Sequence, residues 1–284
     1  MNRLPCFSTE AKAMRRALLA CLPCLYLMGG CQPKLGPPQA SPSPPATATP
    51  TAESNALYNQ GKHLFDQTYE RMPQVKARLH CSSCHLQGGT AAGAASLVGI
   101  ASDFPSYSAR AGREISLAER VNECMERSMN GPALAPDSQE MKAFLAYIEG
   151  LKSASAAARG ISPLAAATTK PDGQRGQAVY KTHCQDCHQA DGSGTYNGQA
   201  YLYPALWGER SFNIGADLAQ PDKLASFIFV KMPLGRGATL TPQETWDVAT
   251  YISQQARPGY PKASQDFPKG GAPADLPYKL GPAQ

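Results

Sequence analysis

One arrangement of cysteine and histidine occurs twice: Cys81-Ser82-Ser83-Cys84-His85 and Cys184-Gln185-Asp186-Cys187-His188, 103 positions apart. The C-x-x-C-H spacing is that of c-type haem attachment. Both thiols add to porphyrin vinyl groups as thioethers, and the neighbouring imidazole binds the iron. A single copy is also compatible with a redox dithiol. Two copies point to two covalently bound haem c groups, with His85 and His188 as proximal ligands.

Each iron then needs a ligand on its other side, or an open position for chemistry. In the second half the candidate lies in Val230-Lys231-Met232-Pro233-Leu234-Gly235. A Met232 thioether raises a haem potential. Lys231 is the rival, and it binds iron only as the neutral amine, so burial and the metal must lower its pKa. In the first half, aligning the repeats on their last helices brings Met129 next to the place of Met232, one residue out of register. Cys124 competes with it. On a helix Arg120, Cys124 and Ser128 follow one another at i, i+4 and i+8 and share a face. A thiolate opposite the iron would be stabilised by the metal and by a guanidinium. The plain alternative is a buried, inert cysteine beside an arginine that serves a haem propionate. Arg113 and Arg127 either bind propionates or lie in water.

The elements that hold these residues are helical and repeated. "DSQEMKAFLAYI" from Asp137 parallels "TPQETWDVATYI" from Thr241. Asp137 and Thr241 read as N-caps, with Glu140 and Glu244 three residues on as capping boxes and Pro242 at the first helical position. Phe144, Ile148 and Leu151 form one helical stripe; Trp246, Ala249 and Ile252 form the other. Upstream, Gly61-Lys62-His63-Leu64-Phe65 echoes Gly176-Gln177-Ala178-Val179-Tyr180 ahead of each haem motif. The fold expected is all-α: two tandem cytochrome c-like domains, 56–152 and 171–256, joined by a linker at 153–170. About 100 residues make a thin core, which a covalently held haem thickens. Residues 257–284, rich in proline and glycine, read as a tail over the surface. His63 reads as a surface residue, and Tyr203 and Trp207 as packing around the second haem.

The chain has 284 residues and nine cysteines. Met14-Arg15-Arg16 precedes an apolar run from Ala17 to Met28, too short to span a bilayer and consistent with an export signal over 1–30. Gly29-Gly30-Cys31 suggests a lipoprotein site, with a lipid anchor on Cys31. Residues 31–55 are rich in proline, alanine, serine and threonine and read as a flexible tether. Periplasmic placement follows, possible membrane anchoring included. The net charge of +5 is spread rather than concentrated, which argues against a nucleic-acid partner. After the two haem motifs and the leader are accounted for, Cys124 alone is left over.

"CSSCHLQGG", "FPSYSAR", "SLAERVNECMERSMNGPAL", "CQDCHQADGSG", "YPALWGERSFNIGADL" and "FIFVKMPLG" together resemble the dihaem thiosulfate dehydrogenases, in order, from about Leu57 to Pro258. The resemblance implies joining of two thiosulfates into tetrathionate, reversible in some members. Two electrons pass to an external acceptor such as a small cytochrome c or another high-potential redox protein. It implies Cys124 as distal ligand of the first haem, and Lys231 or Met232 opposite His188 according to redox state. It places Arg110, Arg120 and Ser128 in the substrate site with Cys124. Two other readings stand beside it: a pure electron carrier with two His/Met haems, and a haem subunit of a multi-protein sulfur-oxidising complex.

Overall fold

The computed structural model describes residues 51–152 and 163–281. The export segment, Cys31, most of the tether and most of the linker expected from the sequence lie outside the described residues. Among the described residues six helices of eleven residues or more carry the architecture: α1 (Ala52–Asp66), α2 (Leu117–Arg127), α3 (Gln139–Gly150), α4 (Gly173–His183), α5 (Pro221–Lys231) and α6 (Pro242–Ser253). Among the described residues the strands form two short antiparallel hairpins. Ser106–Ser108 (β1) pairs with Arg113–Ile115 (β2), Ser106 opposite Ile115. Thr195–Tyr196 (β3) pairs with Tyr201–Tyr203 (β4).

The two halves are built alike. In each, the helix before the haem motif crosses the last helix, α1 on α3 and α4 on α6. The crossing is close because both first helices carry glycine there. A Cβ on Gly61 would overlap the Ala143 carbonyl, and one on Gly176 would overlap the Asp247 carbonyl. Side chains then close around each crossing: Phe65, Met141, Phe144 and Tyr147 in the first half, Tyr180, Val248, Ala249 and Ile252 in the second. Tyr180 also stacks with Trp207 and Tyr251, at ring-centroid distances of 5.0 and 5.5 Å.

The caps differ from the expectation in one place. Thr241 caps α6, Glu244 completes the capping box, and Pro242 occupies the first turn, as the sequence implies. In the first half the cap is Ser138, not Asp137: its hydroxyl accepts from Met141 N–H at 3.2 Å. Ser138 N–H closes a turn onto Ala135 O, which leaves Asp137 inside that turn. Two adjacent residues of N-cap type made the choice ambiguous.

The halves share a core. Phe212, Ala216 and Ala219 of the second pack into the hydrophobic cluster of the first. Backbone bonds cross as well, Arg78 N–H to Arg210 O at 2.7 Å and Asn213 N–H to Arg127 O at 3.1 Å. The tail does not merely lie over the surface: Tyr260 and Phe267 are buried, and Phe267 N–H donates to Arg110 O at 2.8 Å.

Candidate haem and substrate site

The first haem motif forms a short turn after α1, held by Thr68, whose hydroxyl accepts from Cys81 N–H at 3.1 Å. The His85 ring follows, and its Nδ1 donates to Ala95 O at 2.6 Å. That bond fixes the tautomer and leaves Nε2 as the metal-binding nitrogen. Burial lowers the His85 pKa, so the imidazole stays neutral and able to ligate. Cys81, Cys84 and His85 line a cavity of about 330 Å³ whose other walls include Phe65, Phe144 and Ile148. Two thiols, a free imidazole nitrogen and apolar walls are the donor set and surroundings a haem c requires.

α2 forms the facing wall. Its N-cap is Ser116, with Glu119 completing the capping box. Arg120, Cys124 and Ser128 all line the same cavity as His85, as their i, i+4, i+8 spacing implies. Burial raises the Cys124 pKa, while the Arg120 guanidinium pulls it back. Met129 lines this cavity too and is buried among the core methionines. Both sulfur candidates therefore face the first haem site.

Arg110 is not a wall of that cavity, yet it is coupled to Arg120. Asp217, from the second half, accepts from Arg110 Nη2 at 2.7 Å and from Arg120 Nη2 at 3.2 Å. Arg110 Nη1 donates to Gly215 O at 2.6 Å, and Arg120 Nη1 to Glu123 Oε2 at 2.9 Å. Sequence reasoning missed Asp217, which lies within the quoted "NIGADL" but carries no spacing signal toward arginines about a hundred residues away. Arg127 does not lie in water and is a wall of neither haem cavity: it is buried in an ion pair with Asp266. Arg113 pairs with Glu119 at 2.7 Å.

The second site repeats the plan. His188 Nδ1 donates to Pro204 O at 2.9 Å, and burial again lowers the pKa of the ring. Cys184, Cys187, His188 and Met232 line a cavity of about 230 Å³, with Tyr203 as one wall. Trp207 is not a wall; it packs in the Tyr180 stack behind it. Lys231, one residue before Met232, turns away and donates to Ala92 O at 2.6 Å. Leu79, His80 and Cys84 line both cavities, so the two sites share a wall. His80 and His183 both lie on these walls, while His63 is exposed on α1.

Residues 60–156 match the SoxA/TsdA cytochrome c domain family, and residues 173–256 match the cytochrome c family. Fold and site thus define a tandem c-type cytochrome with two covalently attached haem c groups. A thiosulfate dehydrogenase of Psychrobacter arcticus is 35% identical over 284 residues, covering 97% of this chain and 86% of its own length. That of Allochromatium vinosum is 39% identical over 242 residues, covering 81% of this chain and 89% of its own. The solved "as isolated" form of thiosulfate dehydrogenase (TsdBA) from Marichromatium purpuratum superposes with a TM-score of 0.74 at 30% identity. That match covers 85% of this chain and 57% of the other, so this chain spans little more than half of that one's length. The chain belongs to the thiosulfate dehydrogenase family.

Proposed function

We propose that this protein is a dihaem thiosulfate dehydrogenase that couples two thiosulfates into tetrathionate, reversibly, and hands two electrons to an external acceptor. The observation that carries the reading is the convergence of Arg120, Cys124 and Ser128 on the cavity that His85 lines. Thiosulfate is a dianion. Guanidinium groups stay charged and offer a planar fork of donors to sulfonate oxygens, and the Ser128 hydroxyl adds another. Each haem, when bound, takes up one electron, so the pair accepts the two released.

The residue roles follow. His85 and His188 would hold the two irons, with Cys124 on the wall of the first cavity and Met232 on that of the second; Lys231 would be the alternative to Met232, according to redox state. Cys124 is also the nucleophilic sulfur. Its thiolate and the outer sulfur of one thiosulfate form an S–S bond with loss of two electrons. The outer sulfur of a second thiosulfate attacks that bound outer sulfur. The bond to Cys124 breaks, the thiolate is restored, and tetrathionate leaves. Arg110, Arg120 and Ser128 hold the sulfonate groups during both steps. The enzyme works in the periplasm, on a lipid anchor at Cys31, with a small cytochrome c or another high-potential redox protein as acceptor.

The test uses the pure holoprotein alone. Thiosulfate should reduce its haems, and tetrathionate should reoxidise them. Cys124→Ala should lower tetrathionate formation by several orders of magnitude, as the loss of a covalent nucleophile does. Wild-type turnover in that variant removes Cys124 from the chemistry. One observation favours a second reading, the electron carrier with two His/Met haems. Met129 lines the first cavity and precedes Met232 by 103 residues, the shift that also separates the haem motifs. That carrier would show the weak methionine-to-iron absorption band at both haems and no reduction by thiosulfate.

A further inference from the structure

Asp217 belongs to the second half of the chain, in the single turn Asp217–Ala219 that leads toward α5. Its carboxylate is nevertheless divided between two arginines of the first half, Oδ1 to Arg110 at 2.7 Å and Oδ2 to Arg120 at 3.2 Å. The Asp217 side chain is 51% exposed and that of Arg120 35%. The Arg120–Asp217 pair is open enough to contribute little to stability, while the Arg110 side chain is only 12% exposed. What the bridge does fix is geometry. Two guanidiniums repel each other; Arg110 is also held by Gly215 O and lies over the Phe267 ring, while the more open Arg120 is otherwise steadied by Glu123 beside it. One carboxylate between them holds both at a set separation.

The surrounding charges sharpen the point. Glu123 pairs with Arg120, and Asp266 pairs with Arg127 and lies 3.9 Å from Arg110. Three guanidiniums thus face three carboxylates, and the cluster offers a dianion no large excess of positive charge. Recognition has to come from where the remaining N–H donors stand. Arginine has five, and Arg110 and Arg120 each commit two to the bonds already named.

We propose that Asp217 is a positioning residue for sulfur oxyanion binding: a carboxylate contributed by the second cytochrome domain that sets the spacing of Arg110 and Arg120 for two sulfonate groups. The inference deepens the function proposed above and rests on it. It makes the substrate site of the first domain incomplete without the second.

The sign of one kinetic change decides the matter. If Asp217 were only a negative charge near the site, removing it would tighten the binding of thiosulfate. As a positioning residue, its loss weakens binding. In the holoenzyme, Asp217→Asn is expected to raise KM for thiosulfate about tenfold and change kcat less than about twofold, the pattern of lost binding geometry. Both haem spectra and the thermal midpoint should stay as in wild type. The dissociation constant for tetrathionate on the oxidised holoenzyme, by calorimetry, should rise in parallel. Asp217→Glu keeps the carboxylate and should return KM to within about threefold of wild type. An unchanged or lower KM in Asp217→Asn overturns the proposal, as does an Asp217→Glu variant as impaired as the amide. Should Asp217→Asn bind haem poorly, Asp217→Ala is read by the same criteria. Failure of wild type to be reduced by thiosulfate would count against the parent function instead, so the two failures are distinct.

Discussion

Arg127 and Asp266, 139 residues apart, form a two-pronged ion pair, with Nη1 to Oδ2 at 2.8 Å and Nη2 to Oδ1 at 2.7 Å. The side chains are 8% and 5% exposed. Tyr260 lies under the guanidinium, 4.2 Å from its centre, and the Tyr278 hydroxyl donates to Asp266 at 2.5 Å. The pair locks the tail behind α2, the helix that presents Arg120, Cys124 and Ser128. Removing one partner of a buried pair leaves an uncompensated charge, at a cost of about 3–5 kcal/mol. Asp266→Ala should therefore lower the thermal midpoint of the holoprotein sharply. Arg127→Met strands the buried Asp266 carboxylate and should be destabilising as well, whereas the double change Arg127→Met with Asp266→Ala, which removes both charges, should cost less than either single change.

The glycines at the two helix crossings give a second prediction. A methyl at Gly61 or Gly176 collides with main-chain carbonyl oxygen, which cannot rotate aside. Helix propensity alone favours alanine over glycine by up to about 1 kcal/mol, so the sign of the effect separates propensity from packing. Each Gly→Ala change should destabilise its domain, by about 1–3 kcal/mol as overpacking does. Thermal melts followed at the haem absorption should show it.

These crossings also mark how far the sequence could be read. Cysteine and histidine spacing located both haem sites, because covalent attachment imposes a local pattern. Thr241, Pro242 and Glu244 announced α6 for the same reason: a cap is made by neighbours. The Gly61 and Gly176 echo was visible as a repeat, while its cause, a carbonyl about 80 residues away in one case and about 70 in the other, was not. Asp217 and Asp266 were invisible altogether. Nothing near either carboxylate announces which arginine it will meet, since that meeting depends on how the halves and the tail fold together. The same holds for Arg127, whose sequence neighbours give no sign of Asp266, 139 residues further on.

Asp247 supplies a pH dependence. It is buried at the α4–α6 crossing and accepts from Arg175 Nε at 2.7 Å, from Asp172 N–H at 2.8 Å and from Gln243 at 3.0 Å. Burial pushes its pKa up, but these donors outweigh burial, and the net pKa lies below the ordinary aspartate value of 3.8. A depressed carboxylate contributes stability that is present above its unfolded pKa and is lost as pH falls through the folded one. The second domain should accordingly lose stability below about pH 4, where the unfolded chain begins to bind the proton first. In Asp247→Asn the melting temperature should be lower at neutral pH, and its fall between about pH 5 and pH 3 should be shallower than in wild type.

The last prediction concerns the second haem and the two neighbouring side chains that compete for it. Met232 lines the cavity with His188, while Lys231 donates to Ala92 O at 2.6 Å, across the contact between the halves. For Lys231 to reach the iron, that bond has to break and the amine has to lose its proton. For Met232 to reach it, no hydrogen bond is given up. A thioether also favours the reduced iron, and so raises the potential. The methionine-bound state is therefore the one expected of the reduced haem, the form that must pass its electron onward. Met232→Ala should lower the potential of the second haem and slow reduction of an external cytochrome, with thiosulfate-dependent reduction of the first haem retained. Lys231→Ala should leave the reduced spectrum of the second haem unchanged. A potentiometric titration of both variants, read at the haem bands, checks the assignment. A Met232→Ala protein with the wild-type potential would hand the second iron to another ligand.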